Sequence, residues 1–125
     1  MELRRVVITG LGAITPIGNT VSEFWDALCK GVNGAGPITR FDSSKFKTRI
    51  ACEVKNFDSL QFFDRKEARK LDLYEQFAIV ASDEAIRDSK ITKDNTDFNE
   101  VGVVFSSGIG GINSFYEEVM SHAAG

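Results

Sequence analysis

Histidine occurs once in this sequence, at His122, and cysteine twice, at Cys29 and Cys52. A single imidazole near the end of the chain leaves no visible Ser-His-Asp constellation, and a nucleophile without an activating base is not a catalytic centre. Cys29 and Cys52 lie far apart and fit no metal-ligand spacing, so no metal site is expected. In a reducing compartment they are expected as two buried thiols. Long apolar runs are also missing: no stretch approaches the ~20 residues of a membrane span. Arg4-Arg5 followed by an apolar stretch imitates a secretion signal. However, Gly10, Gly12, Pro16 and Gly18 interrupt it, and no small-residue cleavage site follows. The expected address is the cytoplasm. An excess of charge is absent as well: the net charge of −3 gives no case for a nucleic-acid partner.

What is present is an ordinary globular mixture, 42% apolar and 26% charged, rich in large core residues through its ten Phe. A length of 125 residues suggests one domain. Residues 6–9, Val-Val-Ile-Thr, form a short β-branched run bounded by glycine and predict a buried strand. Thr20 and Glu23 have capping-box spacing. Val21, Phe24, Trp25 and Leu28 then recur at helical period, and Gly31 is placed to end that helix. Residues 31–63 read as an irregular excursion pinned by phenylalanines, with a short strand within 48–54. Asp64 and Glu67 make a second capping box before a short helix carrying Lys66, Arg69 and Lys70. A long helix is predicted from Asp72 to about Ser89; several of its apolar residues are small, which suits close packing. Residues 101–105 predict a second buried strand. After a glycine turn, a last helix places Ile112, Phe115, Tyr116, Val119 and Met120 on one stripe. This order describes an α/β layered domain.

Three motifs invite a functional reading. Gly10-Leu11-Gly12 after a strand is how a dinucleotide-binding fold begins, but the third fingerprint position is Thr15, followed by Pro16. The helix starts too late to meet a pyrophosphate, and no acidic residue about 20 positions on ends a second strand. The glycines are better read as letting a strand turn beneath other backbone. The run Gly108-Ile109-Gly110-Gly111 sits between a strand and a helix. Its lone Ile109 suits the lining of an apolar ligand better than a phosphate cradle, which would add G-K-[ST]. A plain tight turn remains the other reading. Lys66, Arg69 and Lys70 fall at i, i+3, i+4 and point to one side. They are either a docking face for an anionic partner or a solvated helix face.

Taken together, RRVVITGLGAITPIGNT, DRKEARKLDLYEQFAIVASDEAIRDS and VVFSSGIGGI resemble the β-ketoacyl-acyl-carrier-protein synthases, in the elongating synthase II group of bacterial type II fatty-acid synthesis. The resemblance spans essentially the whole chain. It implies a thiolase-like layered α/β fold, present as a partial N-terminal half, with residues 1–125 forming an incomplete N-terminal segment of the synthase N-terminal domain. It implies decarboxylative condensation of malonyl-carrier-protein with an acyl chain on a Cys nucleophile assisted by two His, in a homodimer without cofactor. It implies that Gly108, Ile109, Gly110 and Gly111 belong to the acyl pocket, and that Lys66, Arg69 and Lys70 dock the acidic acyl carrier protein. The catalytic Cys and both His are expected beyond Gly125, so Cys29, Cys52 and His122 are not assigned to them. This segment alone is expected to be inactive and to expose apolar faces. A non-catalytic chain-length-factor-like partner and a stand-alone carrier-protein-binding module are the alternatives. Two departures stand out: Ser106 where glycine is common, and Lys90 where a helix-ending glycine is usual.

Overall fold

The computed structural model describes residues 5–125. The chain divides into two compact units: residues 5–57 with 81–90, and residues 58–80 with 91–125. The elements in chain order are α1 (Val21–Cys29), β1 (Gly36–Pro37), β2 (Ile50–Ala51), α2 (Arg65–Ala68), α3 (Leu73–Ser89) and α4 (Ile112–Ala124), with short 3-10 turns at Ser59–Gln61 and Phe98–Glu100.

In the first unit the loop after residue 9 lies on the second half of α3. A Cβ on Gly10 would sit 2.6 Å from the Ser89 nitrogen, and one on Gly12 would overlap the Ala81 carbonyl and lie 2.9 Å from the Ala85 nitrogen. The small residues Ala81, Ala85 and Ser89 recur every four positions and open this face to a second backbone. The space beside the two glycines is therefore filled by helix backbone, as the packing reading of this motif requires. Two carboxylates on α3 fix the loop. Asp88 Oδ2 accepts from the Leu11 N–H at 3.0 Å. Glu84 accepts from Ala13 N–H through Oε2 and from Val21 N–H through Oε1, each at 2.9 Å. The Val21 amide opens α1, so Glu84 also places negative charge at the positive end of that helix.

Helix α1 is capped as its sequence predicts. Thr20 Oγ1 accepts from Glu23 N–H at 3.2 Å, while Glu23 Oε2 accepts from Asn19 N–H, one residue before the usual partner, at 2.8 Å. At the other end Gly31 takes φ +64°. Its N–H reaches Leu28 O at 3.0 Å, and the Val32 N–H reaches Ala27 O at 2.9 Å. This double bond pattern is a Schellman ending, and the left-handed residue it needs is the predicted glycine. The excursion that follows holds the antiparallel pair β1–β2, with Gly36 opposite Ala51 and Pro37 opposite Ile50. Phe41 and Phe46 stack edge to face with ring centres 5.5 Å apart.

In the second unit Gln76, only 5% exposed, ties α2 to α3: its Nε2 donates to Ala68 O at 3.0 Å and to Leu71 O at 2.9 Å. Ala78 and Val80 are buried beside it on α3.

The two predicted strands do not form. Residues 6–9 and 101–105 have no ladder partner among the described residues, and Val6 and Val104 are 89% and 96% exposed. A β-branched run favours a strand only where a neighbouring strand supplies its hydrogen bonds and a face to pack against. The α4 stripe forms as a helix, but Ile112, Phe115, Tyr116, Val119 and Met120 are all exposed. Cys29 and Cys52 are likewise exposed rather than buried, one closing α1 and the other just past β2.

Candidate functional site

Four cations line one open groove of about 510 Å³ in the second unit: Arg65, Lys66, Arg69 and Lys70. Their placement starts at Asp64, whose Oδ1 accepts from both Lys66 N–H and Glu67 N–H at 2.8 Å and so nucleates α2. The helix is shorter than its charge pattern suggests, ending at Ala68 with Arg69 as its C-cap. Glu67 O takes both the Lys70 and Leu71 N–H groups, at 2.9 and 3.2 Å, and the Gln76 amide then occupies the Ala68 and Leu71 carbonyls. The backbone is thus turned out of α2 while Arg69 and Lys70 stay beside Arg65 and Lys66. The fourth cation, Arg65, was missed in the sequence pattern, although it stands at i, i+4 to Arg69. Within a protein of net charge −3, such a cluster concentrates positive potential on one short stretch.

The positive stretch ends where α3 begins. Glu75 Oε2 accepts from Asp72 N–H at 2.8 Å, the returning half of a capping box. The charge of Glu75 first, loss of solvent next and the charge of Asp72 after them hold the Tyr74 hydroxyl above its ordinary pKa.

The glycine turn stands before α4. Gly110 has φ +82°, a backbone state open to glycine, and its N–H donates to Ser107 Oγ at 2.7 Å. Gly111 is the N-cap of α4. A Cβ there would overlap the Asp72 carboxylate, while one on Gly108 would meet nothing within 4 Å. Ser114, in the first turn of α4, donates its hydroxyl to Asp72 Oδ1. Between these fixed points Ile109 is 79% exposed. Neither Asp72 nor Ser114 was singled out in the sequence, because a contact spanning 42 residues leaves no local spacing to find.

The β-ketoacyl synthase N-terminal domain model matches residues 3–124. The chain belongs to the β-ketoacyl synthase family. Its curated relatives include the 3-oxoacyl-[acyl-carrier-protein] synthase 2 of Synechocystis sp., 52% identical over 90% of this chain and 27% of the relative. That of Coxiella burnetii is 50% identical over the same shares. The chain therefore spans about a quarter of the length of these β-ketoacyl synthases. Among solved structures it is similar to the ishigamide ketosynthase/chain length factor, with 38% identity, a TM-score of 0.64, and coverage of 74% of this chain and 23% of that one. It is also similar to a type II PKS acyl-carrier protein in complex with its ketosynthase bound to the hexaketide. There the identity is 25% and the TM-score 0.68, with coverage of 91% of this chain and 29% of that one. The fold likeness is thus ketosynthase-like, although the described residues carry only the β1–β2 pair as sheet. No helix among the described residues is long and apolar enough to cross a membrane.

Proposed function

We propose that the protein carrying this chain is an elongating 3-oxoacyl-[acyl-carrier-protein] synthase. It condenses malonyl-carrier-protein with a carrier-bound acyl chain, releasing carbon dioxide and extending the chain by two carbons. Residues 1–125 are an N-terminal segment of its N-terminal domain. Lys66, Arg69 and Lys70, joined by Arg65, receive the acidic carrier protein. Gly108, Ile109, Gly110 and Gly111 form the turn that lines the acyl pocket, with Ile109 as its apolar side chain. The Cys nucleophile and the two His of condensation are assigned to no residue of this chain, and these 125 residues alone are expected not to turn over substrate. The enzyme acts without a cofactor, as a homodimer in the cytoplasm.

The observation that carries this reading is the open groove lined by Arg65, Lys66, Arg69 and Lys70. A groove of that charge favours an anionic partner, and its contribution lies mainly in capture rate and in salt dependence. Reversing charge in K66E/R69E/K70E is expected to weaken acyl-carrier-protein binding by about ten- to hundredfold, measured by titration at low salt. Affinity unchanged by the triple reversal would sink the docking assignment. A second reading, a chain-length-factor-like partner that keeps the pocket without a nucleophile, is favoured by the likeness to a ketosynthase/chain length factor. The two separate by acylation: a synthase becomes covalently loaded on a Cys by an acyl-carrier-protein substrate, and a non-catalytic partner does not.

A further inference from the structure

Helix α4 begins without the usual devices. Its N-cap, Gly111, offers no side-chain cap, and its first turn contains no acidic residue. A 13-residue helix nevertheless gathers partial positive charge and free N–H groups at this end. The missing anion arrives from elsewhere in the same unit. The Asp72 carboxylate lies where a Cβ on Gly111 would be and accepts from the Ser114 hydroxyl at the third helical position. The Asp72 backbone N–H is meanwhile held by Glu75 Oε2. Asp72 is thus fixed at the start of α3 while its side chain serves the start of α4. It follows Leu71 directly and stands two positions after Lys70, the last cation of the groove.

We propose that Asp72 is a positioning residue that anchors the Ile109 turn and so sets which acyl-chain lengths the pocket accepts. This rests on the function proposed above, in which Ile109 lines that pocket. The other restraints on the turn are local: Ser107 Oγ holds the Gly110 N–H, Gly110 O accepts from Ile112 N–H at 3.0 Å, and Phe115 N–H closes on Gly111 O at 2.9 Å as α4 begins. Removing the Asp72 anion frees the N-cap glycine and lets Ile109 change its height. A wall side chain that moves alters long chains more than short ones, because only long chains reach it.

The test uses the protein as its gene encodes it, in D72A, D72N and S114A forms. Amide hydrogen exchange at Phe115 is expected to rise about tenfold in D72A, the loss of a charge-assisted contact. It should rise less in D72N, which keeps an acceptor for Ser114. The ratio of kcat/KM for long over short acyl substrates should change by about threefold or more in D72A and S114A. The KM for the carrier protein stays within about twofold, because the cationic groove is untouched. In D72A/S114A the effects should not add, since both substitutions remove one contact. Unchanged exchange at Phe115 in D72A overturns the anchoring. Raised exchange with an unchanged chain-length ratio overturns the selectivity. A wild-type protein that condenses no acyl substrate overturns the proposed function and the selectivity with it, while exchange at Phe115 still decides the anchoring.

Discussion

Glu84 offers the sharpest test of how the first unit is held. Its two carboxylate oxygens accept from two backbone amides, Ala13 and Val21, each at 2.9 Å. Hydrogen bonds to a charged group contribute about 1.5–3 kcal/mol each when they are partly shielded from water. In E84Q one oxygen becomes an NH2 group that faces a backbone N–H, so one bond is lost and two donors oppose each other. The expected cost is about 2 kcal/mol, which corresponds to about a 30-fold faster opening of the affected amides. Asp88 supplies an internal control one turn along the same helix. It accepts from Leu11 at an exposed position, and an Asn there keeps an acceptor oxygen. D88N is therefore expected to cost less than about 0.5 kcal/mol. Amide hydrogen exchange, read residue by residue, measures both: Ala13 or Val21 should lose protection in E84Q, and Leu11 should keep most of its own in D88N. Exchange at both Ala13 and Val21 within about threefold of wild type in E84Q would refute the bridge.

Two further substitutions address the backbone. Lys90 follows the last residue of α3 with φ +57°, a left-handed state that costs an L-residue about 1–2 kcal/mol. K90G removes that cost and adds unfolded-state entropy, so a net gain of about 0.5–1 kcal/mol is expected in chemical denaturation; a destabilised K90G would contradict it. In G12A the new methyl meets the Ala81 carbonyl, part of a helix backbone that cannot yield. A loss of about 1–3 kcal/mol is expected, and a neutral melting point would show that the loop does not lie on α3 as described.

Local rules made the ends of the elements legible. Thr20, Asp64 and Gly31 each announced a cap, because capping chemistry acts over three or four residues and leaves a short signature. Lys90 fits the same logic: the position wants a left-handed residue, and the sequence supplies one that reaches that state at a cost. The three docking candidates were legible from their spacing, and they do share a groove, though on a helix that ends two residues before Lys70, where the pattern had carried it. The anchors were not legible. Glu84, Asp88 and Asp72 look like solvated helix residues in sequence, and their partners lie 42 to 77 residues away. The strands were over-read for the opposite reason. The β-branching at 6–9 and 101–105 is a property of the segments, whereas a strand is a property of a pair.

The side-chain bridges from α3 to the loop also constrain the order of events during synthesis. Leu11, Ala13 and Val21 leave the ribosome long before the carboxylates that hold them, which follow 63 to 77 residues later. At roughly 5–20 residues per second, that delay is on the order of 3–15 s. Throughout this interval the loop at 11–13 and the beginning of α1 wait without their seat. Early helix formation in α1 therefore rests on its own Thr20 cap and Gly31 ending, and a chaperone that shields nascent apolar segments has a defined window in which to meet this one.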